Sequence, residues 1–203
     1  AAVYGTGLGG VMVNKNLDKI FSDIKQPQIK DNFEKWNLFL NNEVDFWLKT
    51  SEKHTKEHCS RVLLFCLLIA DKQGLSQKET DILCMAAVFH DSRRQDDWYD
   101  VGHGQRAADY YGEYCTTHEL AFEQVCYEIM YYHDRDDQAG IDAIAGRNLK
   151  EQNGVLLYQS FKDADALDRF RLGPDGLDIK YLRTNEARSL YSYAKMVWFQ
   201  YFA

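Results

Sequence analysis

Apolar residues in this chain recur at intervals of three and four residues, and proline almost never interrupts them. In the segment 31–49 the recurring positions are Phe33, Trp36, Leu40, Val44 and Trp47. This is the period with which one face of an α-helix meets a core. The chain has only 2 prolines among 203 residues, well below the usual share of about 5 %. Long uninterrupted helices tolerate such a composition best, so the pattern predicts an all-α fold, a single-domain helical bundle.

Capping signals mark where further helices begin. Ser76 and Glu79 have the spacing of a capping box, in which a hydroxyl and a carboxylate bond the free backbone N–H groups of the first turn. Thr116 and Glu119 repeat that spacing. The expected helices cover residues 31–49, 53–72, 76–89, 104–115, 116–133, 154–171 and 185–202, with a polar stretch at 134–153 and a turn at 173–176.

The length of the chain favours one domain. Its 203 residues, of which 45 % are apolar, suffice for one packed core, which we expect to include residues 12–203.

Glycines crowd the first ten residues, so we expect residues 1–11 to be a flexible leader or a remnant of cloning. Gly5, Gly7 and Gly10 have the spacing of a dinucleotide-binding loop. Such a loop lies between a strand and a helix of a βαβ unit, and no such pattern follows, so no cofactor is expected there.

Charge and cysteine content limit the partners and the compartment. The 24 Lys and Arg residues against 31 Asp and Glu residues give a net charge of −7, which argues against nonspecific nucleic-acid binding. The 5 cysteines are an odd number without a C-x-x-C pair, as expected for a reduced, cytoplasmic protein. The longest apolar run, Val62 to Ala70, is about half of the ~20 residues that a bilayer span needs, so we expect no membrane partner.

Side chains that bind metals follow the apolar segments. The apolar run 82–89 leads directly to His90 and Asp91, where an unpaired carboxylate would be costly. An ion pair with Arg93 or Arg94 is one way to stabilise Asp91. A metal ion is the other.

Three more positions repeat this pattern. His54 and His58 are four residues apart and share a helix face. His133 continues the apolar stripe of its own helix, as a ligand or as a core histidine bonded to a carbonyl. Residues 162–169 carry three carboxylates, and helical periodicity alone does not choose between Asp163 and Asp165 as the one that faces the core.

Taken together, these segments resemble the HD superfamily of metal-dependent phosphohydrolases, over residues 54–172. The resemblance rests on H-x-x-x-H-x-x-R-V at 54–62, A-A-x-x-H-D at 86–91, H-G-x-x-x-A at 103–108, Y-Y-H-D at 131–134 and D-A-D-A-L-D-R at 163–169. The family pattern implies an all-α fold and the metal ligands His58, His90, Asp91 and Asp165. Its A-D pair matches Ala164 and Asp165, which decides between the two late carboxylates. Such ligands suit Mn, Fe, Co, Ni or Zn, and we expect one ion rather than two.

The resemblance also implies a reaction. A metal-activated water would attack a phosphate ester of a small phosphorylated substrate, a nucleotide or a related molecule. Asp91 would orient that water, with His103 or His133 in contact with the substrate as further catalytic groups. Arg94, Lys162 and His54 are the expected substrate-binding residues. The alternatives are a di-iron oxygenase, known from other branches of the superfamily, and a non-catalytic helical nucleotide sensor.

The C-terminal segment predicts either a buried helix or a dimer contact. One helical stripe consists of Leu190, Tyr193, Ala194, Val197 and Tyr201. A second set lies off that stripe, namely Tyr191, Met196, Trp198, Phe199 and Phe202. Since a soluble monomer seldom exposes so large an apolar patch, we expect either burial under the N-terminal helix or a homodimer centred on Trp198 and Phe199.

Overall fold

The fold, described by a computed structural model for residues 16, 18–51 and 53–203, is a bundle of α-helices. A short helical segment at 18–23 precedes the helices α1 Pro27–Asn42, α2 Lys56–Gln73, α3 Gln77–Phe89, α4 His103–Thr117, α5 Gln124–Tyr132, α6 Asp137–Gly146, α7 Gly154–Leu167, α8 Asn185–Ser189 and α9 Tyr191–Tyr201. Short 3₁₀ helices cover Leu149–Gln152, Asp168–Leu172 and Ile179–Tyr181. No strand occurs among the described residues, and the all-α prediction is confirmed. The expected leader 1–11, with its three spaced glycines, lies outside the described residues.

Helix α2 is the centre of the bundle. It packs against α1, α3 and α7, and its residues from His58 to Leu67 are all buried. Thr55 caps its N-terminus by accepting a hydrogen bond from the backbone N–H of His58. Gly74 ends it in the left-handed conformation, with φ of 64°, which a residue without Cβ adopts at little cost. A helix that is apolar on all sides can only be a core helix.

The capping box predicted for α3 is present. The Ser76 hydroxyl accepts from the backbone N–H of Glu79, and the Glu79 carboxylate accepts from that of Ser76. The helix then runs through a fully buried apolar segment to Phe89 and ends with His90 at its C-cap. The local sequence thus determines both where α3 begins and that His90, at its C-terminal end, lies in the core.

The first long helix lies further toward the N-terminus than the periodicity predicted. It spans Pro27–Asn42 rather than 31–49, so Val44 and Trp47 follow it in an irregular segment. Val44 is still buried, but the Trp47 side chain is half exposed and lies under the Arg93 guanidinium, 5.3 Å from the ring centroid. The backbone N–H of Trp47 donates to Ser92 O, and this bond between distant segments replaces the predicted helical turn.

The prediction that Thr116 caps the next helix is wrong. Thr116 lies in the last turn of α4, where its hydroxyl donates to Glu113 O, and α5 begins only at Gln124. Phe122, which lies within the segment 116–133 predicted to be one helix, precedes α5 and is half exposed. A residue inside the last turn of one helix has helical backbone angles, so it is not the half-extended N-cap of the next helix.

Helix α6 lies in the stretch 134–153, which was expected to be only polar and irregular. Asp136 caps its N-terminus by accepting from the backbone N–H of Gln138. The predicted helix 154–171 ends at Leu167 and continues as the 3₁₀ helix, and the turn at 173–176 is closed by a bond from Gly176 N to Gly173 O.

The predicted C-terminal helix is divided at Leu190 into α8 and α9. Its stripe faces inward as expected, with Leu190, Ala194 and Val197 buried. Helix α9 packs on α7, on α8 and on the 3₁₀ helix that follows α7. Of the residues off the stripe, Phe199 is 43 % exposed, whereas Tyr191, Met196, Trp198 and Phe202 are partly buried within the chain.

All five cysteines are free, and four of them are buried. Within the described part of the chain, no helix combines the length and the apolar character that a membrane crossing requires.

Candidate metal centre

Helix ends bring four histidines together. His58 lies in the first turn of α2, His90 and His133 follow the last residues of α3 and α5, and His103 begins α4. All four side chains are buried. The histidines that the sequence pattern selected from separate segments therefore occupy one region, and buried imidazoles there need hydrogen-bond partners.

A hydrogen bond at Nδ1 orients each of these four rings. Three of them donate to backbone carbonyls: His90 to Ala87, His103 to Asp100 and His133 to Met130, at 2.9, 2.6 and 2.6 Å. His58 Nδ1 donates to Asp168 Oδ2 at 2.6 Å. A carbonyl or an ionised carboxylate only accepts, so each ring carries a proton on Nδ1 and, when neutral, a lone pair on Nε2.

These Nε2 atoms face one another in pairs. His58 Nε2 lies 3.3 Å from His90 Nε2, and His103 Nε2 lies 3.0 Å from His133 Nε2. Two nitrogen lone pairs at such distances repel each other unless a positive charge lies between them. Each pair therefore either shares a proton or is a position for a metal ion.

The first cluster consists of His58, His90, Asp91 and Asp165. Asp165 Oδ1 lies 3.3 Å from His58 Nε2 and 3.8 Å from His90 Nε2, and Asp91 Oδ2 lies 3.5 and 3.8 Å from the same two atoms. Ligands bound tetrahedrally at about 2.0–2.1 Å lie roughly 3.3–3.4 Å apart. Both the donor types and their separations fit a divalent transition metal, as the family pattern implied.

The second cluster consists of Asp91, His103 and His133. Asp91 Oδ1, the oxygen directed away from His54, lies 3.3 Å from His103 Nε2. Arg94 Nη1 lies 3.1 Å from His103 Nε2 and 3.7 Å from Asp91 Oδ1. Asp91 thus contributes one oxygen to each cluster, and Arg94 already brings a fixed positive charge to the second.

The protonation states of Asp91, Asp165 and His133 suit metal binding. Burial opposes the charge on Asp91, but the surrounding histidines, with His90 contributing most, together outweigh it and hold the pKa of Asp91 well below its usual range. Burial opposes ionisation of Asp165 too, but contact with His58 and the positive charge that His90 and His58 bring when protonated together outweigh it and lower the pKa of this carboxyl. Burial lowers the pKa of His133 to about 3. Ionised carboxylates and neutral imidazoles are the forms that bind metals.

His58 is the ring on which positive charge is most favoured. Burial and the charge of Arg171 lower the pKa of His58, but contacts with Asp165 and Asp168, together with the negative charge beside the ring, outweigh both and raise it. The surroundings of His58 therefore favour a cation at this position.

The three expected substrate-binding residues have different surroundings. His54 Nδ1 lies 2.8 Å from Asp91 Oδ2, so His54 supports the first cluster. Arg94 contacts the second cluster. Lys162 Nζ donates to Arg135 O at 2.7 Å and pairs with Asp137 Oδ1 at 2.5 Å, so its charge is already balanced within the chain.

The two late carboxylates have separate roles. Asp163 is fully buried and accepts from the backbone N–H groups of Arg183 and Thr184, at 2.9 and 2.8 Å, and from the Thr184 hydroxyl at 2.9 Å. Asp165, whose side chain is 35 % exposed, faces His58. The structure therefore places Asp165 in the centre and Asp163 in a structural contact.

Sequence reasoning missed several residues around the centre. Asp168 lies behind His58 and pairs with Arg61, whose Nε donates to Asp168 Oδ1 at 2.6 Å. Asp134 accepts from the backbone N–H of Gly102, while its Oδ1 atom is buried without a hydrogen-bond partner among the described residues. Both carboxylates belong to motifs already quoted, D-A-D-A-L-D-R and Y-Y-H-D, but nothing in their spacing indicated these contacts.

A cleft of about 570 Å³ opens onto both clusters. Asp91, His103, His133 and Asp165 all line it. Its size is typical of sites for small organic ligands. A small molecule can therefore reach the metal-binding side chains from solvent.

Comparison of the chain with protein-family models, with curated proteins and with solved structures gives no significant match. The resemblance to the HD superfamily thus stays a prediction from the motifs.

Proposed function

We propose that this protein is a metal-dependent phosphohydrolase of the HD type. The observation that carries the proposal is the set of Nε2 lone pairs that converge with two carboxylates at the base of an open cleft. A metal that only braces the fold needs no access from solvent, so the open cleft argues against a purely structural ion, and turnover separates hydrolysis from the alternative of a non-catalytic nucleotide sensor.

The first cluster is the proposed site of one ion. His58, His90, Asp91 and Asp165 would hold Mn, Fe, Co, Ni or Zn, which when bound lowers the pKa of a water and polarises a phosphoryl oxygen. Asp91 borders both clusters and is placed to orient the water and accept its proton. His103 and His133 lie beyond Asp91 on the cleft wall, where both would contact the substrate.

Two arginines at the cleft are the proposed contacts for substrate phosphate. Arg169 follows Asp165 by one helical turn, is exposed, and donates to Gly176 O without pairing with a carboxylate among the described residues. Arg171 lines the same cleft and bonds backbone oxygens of Lys53 and Asp168. One guanidinium group can donate two parallel hydrogen bonds to two phosphate oxygens. We therefore favour Arg169 and Arg171 over Lys162 as the contacts for substrate phosphate.

A di-iron oxygenase is the second candidate, because Asp91 gives one oxygen to each of two histidine pairs. The positive charge of Arg94 at the second cluster disfavours a second divalent ion there, so we rank this function below hydrolysis. Metal stoichiometry separates the two: the hydrolase proposal expects one ion per chain, and the oxygenase requires two irons.

The test combines metal analysis with substrate panels. Protein purified without chelator should contain bound metal and, with Mn²⁺, should release phosphate from a member of a panel of nucleotides and simple phosphate mono- and diesters. His90→Ala and Asp91→Ala should lose metal and activity while keeping their helical circular dichroism. His118→Ala is the matched control, since His118 stacks on Tyr114 outside both clusters.

Three results would count against hydrolysis. Unchanged metal content in both centre variants would refute the ligand assignment. Dioxygen uptake by the iron-loaded protein without phosphate release would favour the oxygenase, and tight nucleotide binding without turnover would favour the sensor.

The proposal includes a reducing, cytoplasmic compartment, which the five free cysteines support. It also includes the homodimer predicted through α9, on which Phe199 is the exposed large aromatic residue. Light scattering at micromolar concentration should give a dimer mass for the protein and a monomer mass for Phe199→Glu. A monomeric wild-type protein would exclude the dimer.

A further inference from the structure

A buried ion pair lies directly behind the metal-binding face of His58. Asp168 Oδ2 accepts from His58 Nδ1 at 2.6 Å, and Arg61 donates to both oxygens of the same carboxylate, from Nε at 2.6 Å and from Nη2 at 3.1 Å. All three side chains are at most 3 % exposed. The third guanidinium nitrogen, Arg61 Nη1, donates to Glu57 Oε1 at 2.7 Å, so the arginine is held on two sides.

The C-terminal helix covers this ion pair. The Arg61 guanidinium lies 4.8 Å from the ring centroid of Trp198 and 4.7 Å from that of Phe202. The two rings are nearly parallel, with 11° between their planes. They shield the guanidinium from water and add cation–π attraction, which is stronger where the cation is desolvated.

We propose that Arg61, Asp168 and the aromatic pair of α9 are positioning residues for the metal ligand His58. The inference rests on the proposed metal centre. Because the bidentate pair with Arg61 keeps Asp168 ionised, Asp168 can only accept, and the His58 proton stays on Nδ1. The Nε2 lone pair is then directed at His90 Nε2 and Asp165 Oδ1, each 3.3 Å away.

This assigns a function to a helix that the sequence suggested for dimerisation. Residues 198–202 and the ligand at 58 are far apart in sequence, and three contacts in series connect them: ring to guanidinium, guanidinium to carboxylate, and carboxylate to imidazole. Loss of the α9 aromatic residues should therefore weaken metal binding at a site that they do not touch. Partners that orient a metal-binding histidine typically contribute about 10–100-fold in metal affinity.

The test measures metal affinity in variants with a matched control. Asp168→Asn preserves shape but removes the charge, and Asp163→Asn changes another buried aspartate that bonds the 183–184 segment instead of a histidine. Zn²⁺ affinity is measured by competition with a chromophoric chelator, and the visible absorption spectrum of the Co²⁺-loaded protein reports the ligand geometry. Asp168→Asn should weaken Zn²⁺ binding by about 10–100-fold and alter the Co²⁺ spectrum. Asp163→Asn should change neither, although both variants lower the melting temperature.

The helix is tested in the same way. The double variant Trp198→Leu, Phe202→Leu should weaken Zn²⁺ binding by roughly 2- to 30-fold, the range expected for loss of a cation–π contact. Phe199→Leu, on the exposed side of α9, should leave it unchanged. Arg61→Lys should retain more affinity than Arg61→Met, since lysine keeps the charge but loses the two-point contact. If Asp168→Asn does not fold, the Arg61 variants and the double variant of α9 still test the positioning role.

The results separate this inference from the proposed function. A wild-type protein that binds no Zn²⁺ or Co²⁺ would overturn both. A wild-type protein that binds metal and releases phosphate, with equal affinities for Asp168→Asn and Asp163→Asn, would overturn the positioning role alone.

Discussion

Replacing Asp163 or Asp165 by alanine should separate fold stability from metal binding, although the two residues lie two positions apart on α7. Asp163→Ala removes the acceptor of the Arg183 and Thr184 backbone N–H groups and of the Thr184 hydroxyl. A buried donor left without a partner costs about 1–3 kcal/mol. With two N–H groups affected, we expect a loss of about 2–6 kcal/mol, out of the roughly 5–15 kcal/mol typical of a whole domain.

Asp165→Ala should have the opposite profile. The Asp165 carboxylate is partly exposed, and it faces the centre rather than a backbone segment. In metal-free protein its removal should change the free energy of unfolding by less than about 1 kcal/mol, since a partly exposed charged pair contributes little. It should, however, abolish stoichiometric metal binding, because one of four ligands is lost.

Urea unfolding in the presence of a chelator, followed by circular dichroism, measures the first quantity, and Zn²⁺ titration measures the second. A loss of about 3 kcal/mol corresponds to a melting temperature lower by roughly 6–12 °C in a chain of this size. If Asp165→Ala proves the less stable variant, or if Asp163→Ala alone loses metal, the assignment of the two carboxylates is wrong.

Three further predictions concern the second cluster and the cleft. Gly104→Ala should disturb the second cluster, because a Cβ there would lie 2.5 Å from Met130 O and 3.0 Å from His133 Nδ1; it should lower activity with first-cluster metal retained, and unchanged activity would contradict the reasoning. Metal-free protein should lose stability on acidification, since burial lowers the folded-state pKa of His133 to about 3 from an unfolded value of about 6.5. Below pH ~6.5 only the unfolded state protonates this histidine, so the free energy of unfolding falls by about 2 kcal/mol between pH ~6.5 and pH ~5. The urea midpoints at pH 7 and pH 5 should therefore differ less in His133→Gln than in the wild-type protein. Equal differences in the two proteins would refute this. Arg169→Ala should raise the KM for the phosphate substrate with unchanged metal content, whereas a normal KM would exclude Arg169 as a phosphate contact.

Local sequence signals were sufficient for most helices and for the ligand types. The capping box at Ser76 and the apolar run after it determine a helix that ends at His90, because both act within a few residues of chain. Where the signal is weak, prediction failed: α6 has only two large apolar residues, Ile141 and Ile144, and no proline or glycine marks the division between α8 and α9 at Leu190.

The tertiary structure alone decided which groups face each other. Helical periodicity allowed Asp163 and Asp165 equally, and only the segment at 183–184, folded back onto α7, gives Asp163 its structural partners. The pairing of Asp168 with His58 and Arg61 joins positions more than a hundred residues apart. Helix period and capping depend on neighbours within one or two turns, and the sequence shows those directly. Opposed lone pairs and buried ion pairs depend on distances between helices, which only the packing of the whole bundle determines.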